Sequence, residues 1–116
     1  MKLSIKRVYD PASPGDGTRI LVDRLWPRGV TKASLKLDAW PKELTPSNEL
    51  RLWYGHVPEK FDEFRRRYQA ELAPHRDKLD ELRALLRGRK ATLLTATREL
   101  DLSHAHVLRE LLMRGR

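Results

Sequence analysis

Ile20-Leu21-Val22-Asp23-Arg24-Leu25-Trp26-Pro27-Arg28-Gly29 is the stretch that decides how this chain folds. Three consecutive aliphatic residues between polar ones mark a short strand buried on both faces. Asp23 ends it abruptly. Pro27 removes a backbone donor and Gly29 permits a turn, so residues 23–29 read as a loop leaving the carboxyl end of that strand. Lys90-Ala91-Thr92-Leu93-Leu94-Thr95-Ala96 has the apolar run and β-branched content of a second buried strand. Helical patterns fill the space between the two, and another follows. This order predicts the α/β class: a small, mainly parallel sheet covered by helices on both faces.

Working outward, Leu3-Ser4-Ile5-Lys6-Arg7-Val8-Tyr9 alternates apolar and polar side chains with a period near two, as a half-buried strand does. Asp10–Gly17 holds two prolines and two glycines and reads as a loop. Strands are therefore expected near 3–8, 19–23 and 90–96. The link between the first two is too short for a helical crossover, so that pair is expected to be antiparallel or not adjacent. Thr45-Pro46 looks like a cap followed by proline at the first helical position, and Pro58 opens another helix in the same way. Phe61, Phe64, Tyr68 and Leu72 form one apolar stripe; Leu79, Leu82, Leu85 and Leu86 form a second. Ser103 caps a last helix whose inner face is Val107, Leu108, Leu111 and Leu112. Helices are expected near 46–54, 58–72, 75–87 and 103–114. There is no internal repeat or low-complexity segment, and residues 1–116 read as one domain.

Composition narrows the function classes. Cysteine is absent, which removes disulfides, thiolate zinc sites and cysteine nucleophiles. The first residues lack the apolar run of a signal peptide, and no run approaches the roughly 20 residues that span a bilayer. A cytoplasmic protein without membrane partners is the expectation. The net charge of +8 favours an anionic partner. Acidic residues dilute the basic ones throughout, with no basic arm or stripe, which favours a small anion over nucleic acid.

Ligands of open α/β sheets gather beyond the carboxyl ends of the strands. Here those ends are Asp23–Gly29 and Thr95-Ala96-Thr97-Arg98, the latter leading into Ser103-His104 at a helix start. Neighbouring strands would bring Asp23, Arg24, Arg28, Arg98 and His104 into one crevice. Asp23 could act as a base, but a carboxylate held down by an arginine is a poor one, and a structural Asp–Arg pair pinning the loop is favoured. Arg24 and Arg28 could clamp a phosphate or carboxylate bidentately. Trp26 could stack on a ligand or accept a cation–π contact, whereas Trp40 and Trp53 read as packing. His56, between Gly55 and the helix-opening Val57-Pro58, could bind an anion, but a cap or a surface residue is favoured. His104, at the positive end of a helix, favours the neutral imidazole and is the second catalytic candidate. His104 and His106 are two apart and point to different sides of a helix, so no metal site is expected. Arg65-Arg66-Arg67 reads as a solvated helix face. No glycine-rich nucleotide loop and no nucleophile elbow is present, and no cofactor is expected.

The decapeptide 20–29, Trp53-Tyr54-Gly55-His56 with Pro58-Glu59-Lys60-Phe61, Phe64–Tyr68, and Leu93–Ala96 through His104-Ala105 resemble the domain-of-unknown-function 488 family, YeaO-like branch. The likeness runs over nearly the whole chain. In the wider family the resemblance implies a cysteine–alanine–glutamate and a cysteine–histidine–arginine. Thr95 and Thr97 stand at the cysteine and glutamate of the first motif, and Ser103 and Ala105 at the cysteine and arginine of the second, with His104 retained. Asp23 and His104 thus remain where thiol and carboxylate chemistry is lost. The expected function is binding of a phosphate- or carboxylate-bearing small molecule or nucleotide by Arg24, Trp26, Arg28, Arg98 and His104. Its enzymatic form is a slow hydrolase or transferase, with His104 as base and an arginine stabilising developing charge. The alternative is a basic nucleic-acid-binding or regulatory accessory protein.

Overall fold

The computed structural model describes residues 2–114. Strands β1 (Lys2–Arg7), β2 (Thr18–Leu21) and β3 (Lys90–Thr95) form a parallel sheet in the order β1-β3-β2. The first two strands are not adjacent, as their short link required, because β3 inserts between them. Leu3 pairs with Ala91 and Ile5 with Leu93 on one side of β3, and Ile20 with Leu93 on the other. Residues that share a strand's parity share a face.

One face carries Leu3, Ile20, Val22, Ala91 and Leu93. Against it pack α2 (Asn48–Tyr54), α3 (Phe61–Leu72), α4 (Arg76–Leu86) and α5 (His104–Arg114), each through its apolar stripe, except that Leu85, expected in the α4 stripe, turns to solvent. The other face carries Val8, Leu21 and Leu94, covered by Leu35 of the four-residue α1 (Lys32–Leu35) with Leu37, Trp26 and Trp40. No helical period announces α1. Thr31 caps it by accepting from the Ser34 amide at 3.1 Å, and Lys36 closes it at φ 51°.

The β1–β2 link must return along the length of the sheet, and it does so on the α1 face, ending in a 3-10 turn at Pro14–Asp16. Asp16 pins it there. Its carboxylate accepts from Lys6 Nζ at 2.9 Å, from the Ser13 amide at 3.0 Å and from Arg19, while its carbonyl accepts from Thr92 Oγ1 at 2.8 Å. Lys6, Arg19 and Thr92 all project from that face, so Asp16, through its carboxylate and its carbonyl, gathers all three strands. The outer edge of β2 is closed by residues 38 and 39: the Leu21 amide donates to the Ala39 carbonyl at 3.1 Å, and Asp38 accepts from the Arg19 amide at 2.9 Å.

Two helix starts differ from expectation. The cap of α2 is Ser47, which accepts from the Leu50 amide at 3.1 Å and is held from α3 by Glu71, 2.6 Å from its hydroxyl. Thr45 instead donates to the Lys42 carbonyl at 2.7 Å and ends a 3-10 turn. Pro58 opens a 3-10 turn, and the α-helix begins only at Phe61. Ser103 does start α5, its hydroxyl accepting from the His106 amide at 3.3 Å. No helix among the described residues is long and apolar enough to cross a membrane.

Candidate functional site

The carboxyl ends of β2 and β3 meet the start of α5 at Asp23. Its carboxylate accepts from Thr95 Oγ1 at 2.7 Å, from the Ala96 amide at 2.8 Å and from His104 Nε2 at 2.9 Å. His104 Nε2 also lies 2.9 Å from the Val22 carbonyl oxygen. A carboxylate and a carbonyl can only accept, so Nε2 carries a hydrogen and the tautomer is fixed. Burial opposes ionisation of Asp23. The hydrogen bond and charge of His104, then the Ala96 amide and the Thr95 hydroxyl, outweigh that cost and lower its pKa. The partner of Asp23 is therefore a histidine. Arg24 turns away to Thr45, donating from Nε to the hydroxyl at 3.1 Å and from Nη2 to the carbonyl at 3.2 Å.

Above this knot opens a cavity of about 550 Å³. Asp23, Arg24, Trp26, Arg28 and His104 line it, so five of the six residues singled out in the sequence come together there. Arg98 does not; it is exposed and off the wall. Trp26 is set by its indole N–H, which donates to the Val30 carbonyl at 2.6 Å, and by an edge contact with Trp40 at 5.6 Å between ring centroids. Trp40 in turn donates to the Asp23 carbonyl at 2.7 Å, so both rings brace the loop after β2.

The far wall comes from α2 and its end: Arg51, Leu52, Tyr54, Gly55 and His56. Arg51 drew no notice in the sequence because its neighbours read only as helix. Gly55 closes α2 at φ 53°, and His56 follows at φ 59°. A left-handed histidine directly after a left-handed glycine turns the chain sharply at the cavity rim. The pattern Tyr-Gly-His after a helix was the one signal that pointed to this wall.

The charges on the wall are unequal in number. Arg24, Arg28 and Arg51 have no carboxylate within salt-bridge distance among the described residues. The one carboxylate there, Asp23, already holds three donors. No cluster of three or more His, Asp or Glu side chains suited to a metal occurs among the described residues.

A family model described as the inactive DUF488-N3 subclade matches residues 2–115. The chain belongs to the DUF488 family. It is similar to the uncharacterized protein YeaO of Escherichia coli K12, at 48% identity over 109 residues, 93% of this chain and 94% of that one. It is also 48% identical over 111 residues to the uncharacterized protein Rv3073c of Mycobacterium tuberculosis H37Rv, 96% of this chain and 93% of the relative. No solved structure matches the chain. In this DUF488 domain the hydroxyls of Thr95 and Ser103, where the resemblance implies cysteines, serve the fold. Thr95 donates to Asp23, and Ser103 Oγ donates to the Leu100 carbonyl at 2.7 Å.

Proposed function

We propose that this DUF488 protein binds a small organic anion, carrying a phosphate or carboxylate, in the cavity above Asp23 and His104, without turning it over. The unmatched guanidiniums of Arg24, Arg28 and Arg51 carry this reading. Arg28 and Arg51 supply the donors, since Arg24 is engaged twice by Thr45 while Arg51 gives only Nη1, to Asn48 Oδ1 at 3.1 Å. Absence of turnover follows from how the reactive groups are used. The Asp23 carboxylate holds three donors, His104 Nε2 faces two acceptors, and both Thr95 and Ser103 hydroxyls donate to the fold. The dyad is a brace rather than a base.

The test is a calorimetric titration of phosphorylated and carboxylated small molecules, and of a DNA duplex, at two salt concentrations. Arg28→Ala and Arg51→Ala should each weaken binding of the small anion by about tenfold, roughly 1.5 kcal/mol for a charge-assisted contact. Arg66→Ala should leave it unchanged, because Arg66 lies off the cavity, paired with Glu63. Equal losses at Arg66 and Arg28, with a steep salt slope for DNA, would instead mark a nucleic-acid-binding surface and overturn the proposal.

A further inference from the structure

Three of the six exposed large apolar side chains among the described residues line one cavity: Tyr9, Leu25 and Leu52. Leu25 is 60% exposed and Leu52 is 80% exposed. Apolar surface gathered at a concave mouth marks a contact with something, whereas single scattered leucines do not. Each leucine also has a guanidinium close by in the chain. Leu25 stands three residues before Arg28, and Leu52 directly follows Arg51 on α2. Deeper in, Trp26, Tyr54 and Phe64 supply aromatic wall, with Tyr54 and Phe64 stacked at 4.4 Å.

Size argues the same way. A bare phosphate or acetate fills the space of a few water molecules, each about 30 Å³. A cavity of about 550 Å³ falls among those that take a ligand with a substantial body. Resting on the anion-binding reading above, we infer that the ligand is amphipathic: one carboxylate or phosphate held by Arg28 and Arg51, joined to an alkyl or aryl body that covers Leu25, Leu52 and the aromatic wall. The same chemistry exists as a free amphiphile and in a lipid headgroup region. The concave site commits to the free molecule, since a bilayer keeps its chains beneath a headgroup layer and out of reach of a recessed wall.

Straight-chain alkanoates from butanoate to octanoate, titrated by calorimetry, test this. Each methylene should tighten binding about three- to fourfold, the effect of some 0.8 kcal/mol per buried CH₂, until the body outgrows the cavity. Leu52→Ser, at an exposed position with no folding role, should weaken octanoate at least about threefold and leave butanoate unchanged. Arg28→Ala should weaken every member by the same factor. A flat series that still responds to Arg28→Ala would overturn the amphipathic inference and leave the anion site standing. Octanol binding as tightly as octanoate would overturn the anion site itself. Capture on anionic phosphatidylglycerol vesicles that soluble octanoate does not compete away would overturn the free-amphiphile assignment.

Discussion

Asp23 holds together three separate pieces of chain: its own strand end, the end of β3 and the start of α5. Asp23→Asn keeps the shape but sets an amide N–H against donors, and should cost about 1–3 kcal/mol in urea unfolding at pH 7. The pH dependence of that cost carries its own signature. The folded-state pKa of Asp23 is lowered, so its stabilisation is present above the unfolded value of about 4 and is lost as pH falls through the folded value. The gap between wild type and Asp23→Asn should therefore narrow in acid. A gap that stays constant from pH 7 to pH 2.5 would show that the carboxylate charge does not matter there. Asp16 obeys the same sign. Burial opposes its charge, but the Ser13 amide, Lys6, the Ser13 hydroxyl and Arg19 together hold its carboxyl well below the usual range. Asp23 was legible in the sequence as a residue needing a partner, because it leaves a buried strand. That the partner is His104 was not, since only the order of strands β2 and β3 brings residues 81 positions apart into contact.

At the level of elements, the loop from β1 to β2 depends on close backbone approach. Gly17 has φ 65°, and a Cβ there would sit 2.1 Å from the Lys90 carbonyl oxygen. Gly29 has a similar φ of 77° but open space around it. Gly17→Ala should thus cost upward of about 3 kcal/mol, separating β2 from the start of β3, while Gly29→Ala costs about 1 kcal/mol from backbone strain alone. Urea midpoints of the two variants check this; equal losses would mean the contact at Gly17 relaxes freely. The buried strands and the stripes of α3, α4 and α5 were readable because period and burial coincide in them. The α1 segment and the path of the β1–β2 crossover were not. Both are held by specific polar contacts, Thr31 to Ser34 and Asp16 to Lys6 and Arg19, which leave no periodic trace.

For the molecule as a whole, the 24 basic side chains outnumber the 16 acidic ones by 8, and ion pairs match only some of them. Arg65 pairs with Glu110, and Arg66 and Arg67 with Glu63, so much of the basic surface on α3 is matched locally. The unmatched arginines at the carboxyl end of the sheet are the part of that charge to which the proposal gives a binding use. Half of this wall was visible in the Asp23–Gly29 loop. The α2 half, with Arg51 and Leu52, was hidden because exposed helix positions look alike until the fold sets what they face. The most direct test maps the site: backbone amide and indole resonances of the whole protein followed by nuclear magnetic resonance while octanoate is added. The account predicts saturable shifts at Leu25, Arg28, Gly29, Arg51–His56, Thr97 and the Trp26 indole, with α4 silent. Shifts centred on α4 or spread over the basic surface, or none at saturating octanoate, would contradict it.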